Sequence, residues 1–162
     1  MNCTSLLSVN IPSATTLENR SFEGCTSLSS ITFSSITSIG NNCFKNCTSL
    51  TSIVFPEGLT TLGQYSLLST GLSGIIELPS TITSIGEGCF NDSNNITGFI
   101  IRAVTPPTLG NNRSLGTLTV SNILAKKIYV PDNSAEDYRT AFGAISSTYA
   151  EAITPLSQYS AS

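Results

Sequence analysis

A four-residue phrase that returns at a fixed interval constrains this chain more than any other feature. Cys3-Thr4-Ser5-Leu6 recurs as Cys25-Thr26-Ser27-Leu28 and as Cys47-Thr48-Ser49-Leu50, 22 residues apart each time. Ser69-Thr70-Gly71-Leu72 follows after another 22 and Ser93-Asn94-Asn95-Ile96 after 24. Other columns keep step: Leu17, Ile39, Leu62 and Ile85; Phe22, Phe44, Leu67 and Phe90; and Gly40, Gly63 and Gly86 directly after the first of these. A repeat of this length marks stacked supersecondary units. The second copy shows how one unit is built. Leu28-Ser29-Ser30-Ile31-Thr32-Phe33 alternates apolar and polar residues, the period of a half-buried strand. Ser34-Ser35 turns the chain, Ile36 and Ile39 return inward, Gly40-Asn41-Asn42 supplies turn chemistry, and Cys43-Phe44 re-enters the core. One coil cannot bury its own apolar edge. Stacked coils bury Leu on Leu and Phe on Phe in one continuous interior.

The pattern Cys-Thr-Ser-Leu-x-x-Ile-x-Phe followed by Ile-x-x-Ile-Gly-x-x-Cys-Phe resembles the BspA-like leucine-rich repeat family. The resemblance covers about residues 3–101, with four full copies and a partial fifth. It departs at Leu67, where the family has Phe, and at Ser34, where it has Pro. Extra residues near Gly74-Ile75-Ile76 and around Asp92 disturb the pitch. The resemblance implies a leucine-rich-repeat solenoid, in which short parallel β-strands stack in right-handed coils of 22 or 23 residues.

Past residue 102 the pattern changes. Val104-Thr105-Pro106-Pro107 interrupts regular structure, and residues 108–122 read as a loop with weak strands. Lys127-Ile128-Tyr129-Val130 reads as a strand. A helix is expected near 134–145, with Ala135, Tyr138, Ala141, Phe142 and Ile145 on one apolar face. Tyr149 to Leu156 is expected to be extended. The expected division is therefore 1–102, repeats, and 103–162, an α+β capping module similar to the tail modules of BspA-like proteins from Bacteroidetes and their phages. A cap covers the strand edge and apolar cross-section at the end of a solenoid. No such cap precedes Cys3. A shortened chain, a first coil that docks on a partner, and an exposed end are the three readings.

Charged residues are only 10% of the chain and the net charge is −3, with Lys126-Lys127 the only basic pair. This argues against nucleic-acid binding, and no apolar run is long enough for membrane insertion. The chain has no His, which removes His-based nucleophilic sites and His metal ligands. The ten acidic residues fall in turns of separate coils or in the cap, so paired-carboxylate hydrolysis is a remote alternative. No catalytic residue, metal site or cofactor is expected. Cys3, Cys25 and Cys47 share a column continued by Ser69 and Ser93, and Cys43 and Cys89 sit beside the Phe column. All five are expected as small, largely buried free thiols.

The outward strand positions form the candidate binding face: Ser8, Asn10, Ser30, Thr32, Ser52 and Val54, continuing at Glu77. The face is expected to be neutral, polar and without aromatic anchors, with Tyr129 lying outside it. The resemblance implies a non-catalytic recognition or adhesion module with a protein or glycan ligand. The alternative is a structural accessory or decoration protein of a larger assembly such as a bacteriophage virion, docked on neighbouring subunits through its first coil. An extracellular or cell-surface location follows if a leader has been removed, and otherwise a virion component or the cytoplasm.

Overall fold

The computed structural model describes residues 3–117 and 126–160. Residues 118–122 of the expected loop lie outside these. Among the described residues the repeats fold into five stacked coils. The first coil carries β1 (Ser8–Asn10) and β2 (Thr16–Leu17), the second β3 (Ser30–Thr32) and β4 (Ser38–Ile39), and the third only β5 (Thr61–Leu62). The fourth carries β6 (Gly74–Leu78) and β7 (Ser84–Ile85), the fifth β8 (Ile96–Ile101) and β9 (Thr108–Leu109). All pairing between coils is parallel.

The sequence columns are physical files. Leu28, Leu50 and Leu72 are fully buried in one core, and Leu6 packs on its end. Leu17, Ile39, Leu62, Ile85 and Leu109 pair in direct register along the sheet β2-β4-β5-β7-β9. Phe22 stacks on Phe44 with ring centroids 5.4 Å apart and planes within 6°. The glycine column has a steric origin. A Cβ on Gly63 would lie 2.7 Å from the Asn41 backbone nitrogen of the preceding coil, closer than real Cβ atoms approach. Hydroxyls and amides bind the coils along the flank. Thr37, Thr60, Thr83 and Thr108 each donate Oγ1–H to a Thr carbonyl one coil back, at 3.0–3.3 Å. Asn19 Oδ1 accepts the Asn41 N–H at 2.7 Å, and Asn41 Oδ1 accepts the Gln64 N–H at 2.8 Å.

Each of the first four coils also turns twice through the left-handed region. Arg20, Asn42, Tyr65 and Gly88 form one such column; Gly24, Asn46, Ser69 and Asp92 form the other. The second column corrects the cysteine file. Ser69 follows Asn46 in the left-handed position, so the residue equivalent to Cys47 is Thr70. Thr70 and Ser93 are both buried, with their Oγ atoms 2.8 Å apart, and Ser93 Oγ also donates to the Leu67 carbonyl at 2.9 Å.

The repeat ladder runs past residue 102. β9 pairs with β7, and Leu115 is buried where the Phe column predicts an apolar residue, with Phe90 N–H bonded to the Ser114 carbonyl at 3.2 Å. The terminal module then extends the sheet of β6 and β8. β10 (Lys127–Val130) pairs with β8, and after α1 (Ala135–Gly143) and α2 (Ser147–Ala152) the chain adds β11 (Ile153–Pro155) beside β10. Two expectations are corrected here. Residues 147–152 are helical rather than extended, because Tyr149 and Ala152, three apart, both face the core. Ala141 and Ile145 are exposed; the buried side of α1 is narrower, comprising Ala135, Tyr138 and Phe142. Two tyrosines join this module to the last coil. Tyr138 donates to the Ala103 carbonyl at 2.7 Å. Tyr149 donates to the Gly116 carbonyl at 3.0 Å and accepts the Leu115 N–H at 3.1 Å.

Candidate binding face

The strand alternation that buries Leu28 and Phe33 and half-buries Ile31 turns Ser30 and Thr32 outward, and the first and third coils expose the matching positions. Ser8 pairs with Ser30 and Asn10 with Thr32, and all four are exposed. Ser52 and Val54 are exposed as well, but they lie outside any strand. Glu77 is exposed on β6 and forms an ion pair with Arg102. The predicted residues thus share one side of the molecule, but the sheet beneath them is divided: β1-β3 on one part and β6-β8-β10-β11 on the other.

The break falls at residues 51–55. Among the described residues, no backbone hydrogen bond joins Ser52 to Phe55 to either neighbouring coil, although Thr51 accepts the Ser73 N–H at 3.2 Å. One cause is visible on the β6 side. Leu50 to Phe55 spans the same number of residues as Leu28 to Phe33, whereas Leu72 to Leu78 spans one more. Gly74 sits at φ 73° in β6, and its pairing with β8 shifts register there, from Gly74↔Ile96 to Ile75↔Gly98, so that Thr97 of β8 is skipped. With one residue more between Leu72 and Leu78 and a left-handed Gly74, β6 does not match residues 50–55 along their length.

The break leaves a depression of about 310 Å3 lined by Val54, Phe55, Glu57, Ile75, Glu77 and Pro79. Val54 is 83% exposed and Ile75 38%. The face, expected to be polar apart from Val54 and without aromatics, is more apolar than that. An aliphatic patch lies at its centre, and Tyr129, expected elsewhere, falls in the row of Glu77 through Glu77↔Ile100 and Ile100↔Tyr129 pairing. Tyr129 meets Tyr159 edge-on at 4.9 Å. Sequence reading missed this row because β10 joins the sheet from outside the repeat.

The remaining chemistry is internal. The five cysteines are free; Cys3 is exposed and the others are buried. Burial pushes the Cys43, Cys47 and Cys89 thiols up to about 12 and raises Cys25 as well. Raised thiols hold little of the nucleophilic thiolate. Among the described residues no cluster of three or more Cys, Asp or Glu is arranged to hold a metal. No helix among them is long and apolar enough to cross a membrane.

Residues 1–97 match the family model described as BspA type leucine rich repeat region, in six copies. The chain belongs to that family. Leucine-rich repeats of this type serve protein interaction and adhesion and are typically non-catalytic, and BspA-type repeats are often associated with cell surfaces. Among solved structures, this BspA-type repeat protein is similar to a leucine-rich repeat protein from Bacteroides ovatus ATCC 8483, with a TM-score of 0.53 and 20% identity. The match covers 82% of this chain and 45% of that one, so the chain spans under half the length of its structural neighbour. At that identity the likeness concerns the fold. Comparison with curated proteins finds no match.

Proposed function

We propose that the chain is a non-catalytic recognition or adhesion module that engages a protein or glycan partner at a cell surface through its strand face. One observation carries the reading: exposed Val54 and Ile75 line one depression where the sheet parts, between a Ser, Thr and Asn rim and the Glu77–Arg102 pair. An aliphatic patch ringed by hydrogen-bonding groups matches the core-and-rim composition of protein interfaces. Ser8, Asn10, Ser30, Thr32 and Ser52 form the rim on one side, and Glu77 with Arg102 on the other. Each rim hydroxyl offers one donor and two acceptor positions without long-range charge steering, which suits a short-range, shape-dependent contact.

The test is binding to arrays of extracellular-matrix proteins and of glycans, using the native chain, Ser30→Arg with Ser52→Arg on the strand face, and Thr83→Arg on the flank. Signal retained by the flank variant and lost by the strand-face variant supports the reading. Equal signal from all three, or none from the native chain, overturns it.

A further inference from the structure

We infer that the depression at Val54 and Ile75 takes an extended peptide segment of a protein partner, one with an aliphatic side chain flanked by basic residues. This rests on the strand face being the binding surface. Three features of the depression define the ligand.

The first is apolarity. Val54 and Ile75 project as aliphatic groups, and Phe55 contributes only a small edge because it is 8% exposed. An aliphatic side chain removes this surface from water. A sugar ring would set hydroxyls against it, without the open aromatic face on which rings stack. The volume, about 310 Å3, is at the lower limit of ligand sites, the scale of one or two side chains.

The second is charge. Glu57 and Glu77 both line the depression. Oε2 of Glu57 accepts the Ser80 N–H at 3.1 Å and its hydroxyl at 2.8 Å, while its Oε1 has no partner among the described residues. Glu77 has one cation beside it, Arg102, and both side chains are about half exposed. With two carboxylates and one guanidinium, the rim carries net negative charge. It is complementary to Lys or Arg and repels an acidic segment.

The third is the backbone. Among the described residues, the N–H and C=O groups of Ser52 to Phe55 make no backbone hydrogen bond to a neighbouring coil, which leaves the exposed ones at Ser52 and Val54 to pair with an extended chain. In an extended segment, residues two apart share a face. A central Leu with Lys two positions to each side would therefore set the aliphatic group on Val54 and Ile75 while both ammonium groups reach the two carboxylates.

The experiment uses the full 15N-labelled chain and blocked pentapeptides. Lys-Ser-Leu-Ser-Lys is expected to shift amide resonances within 53–57 and 75–79. Glu-Ser-Leu-Ser-Glu and Lys-Ser-Ser-Ser-Lys are each expected to bind about tenfold more weakly. Val54→Lys, at an exposed site, should weaken the basic peptide by about tenfold with an unchanged spectrum elsewhere. Glu77→Gln should lower its salt dependence. Equal binding of the acidic and basic peptides overturns the inference, as does saturation of the same resonances by maltoheptaose in place of any peptide. If the arrays report strand-face binding while none of the peptides shifts the depression, the peptide inference fails and the recognition reading stands. If both are silent, both fail.

Discussion

Replacing Tyr149 by Phe removes one oxygen from the joint between the terminal module and the last coil. The ring stays in place, so the cost isolates the hydroxyl. Tyr149 is 1% exposed, and its oxygen makes two hydrogen bonds, from Leu115 N–H and to the Gly116 carbonyl. Leu115 and Gly116 are themselves buried. In Tyr149→Phe both backbone groups lose this partner away from water. A net bond contributes about 0.5–1.5 kcal/mol, and an orphaned buried group costs about 1–3 kcal/mol. The expected loss is about 2–4 kcal/mol. Tyr138→Phe is the internal control. Tyr138 is equally buried but holds a single acceptor, Ala103 O, so its loss should be about 1–2 kcal/mol. Urea unfolding followed by far-UV circular dichroism measures both, with tyrosine fluorescence as a second probe in a chain that has no Trp. Amide exchange at Leu115 adds a local readout and should accelerate in Tyr149→Phe alone. A loss under about 0.5 kcal/mol for Tyr149→Phe, or a larger loss for Tyr138→Phe, would refute the account of the joint.

Phe44→Ala should cost about 3–5 kcal/mol, because Phe44 is fully buried and stacked on Phe22, while Ser30→Ala should stay within about 0.5 kcal/mol. Similar small losses from both, by the same urea titration, would contradict the column assignment. Alkali should destabilise the chain. Burial favours the neutral thiols of Cys43, Cys47 and Cys89, so the stability they contribute is whole below the ordinary thiol pKa and is lost as pH rises towards about 12. Each ionising thiol would steepen the decline by up to about 1.4 kcal/mol per pH unit. The urea midpoint at about pH 10.5 should lie below that at about pH 8, with a smaller difference in Cys43→Ala. An unchanged midpoint would show that these thiols are not held from water.

The coil pitch was legible because it is a property of composition at a spacing. Leu28 over Leu50 over Leu72, and Ile39 beside Leu62, can be counted without coordinates. The exposed positions of the strand face were legible for the same reason, since Ser30 and Thr32 alternate with Ile31 and Phe33. The parting of the sheet was not. Ser52-Ile53-Val54-Phe55 keeps the spacing of Ser30-Ile31-Thr32-Phe33 and departs from its alternation only at Val54, and pairing depends on how a neighbour lies. The hint was the irregularity at Gly74, whose consequence falls on the coil before it. The left-handed columns escaped notice because Tyr65 and Arg20 occupy positions that Asn and Gly fill elsewhere, and Cβ sterics disfavour that conformation for bulky residues. The cysteine file slipped by one residue at Ser69 for the same cause. Tyr149 was read as extended because one buried aromatic fits either period, and Ala152 is too small to signal a helix by itself.

The parting of the sheet also has a mechanical consequence. In a one-dimensional fold, rigidity is the sum of the joints between successive layers. The third layer is tied to its neighbours through β5 and the interior, and has few rungs on the strand side. The rod is therefore stiff along one edge and compliant along the other, with its easiest bend at the layer that carries Val54. A segment lying across that layer would act as a splint. Because such an occupant binds only the assembled rod, it would resist bending and unfolding together.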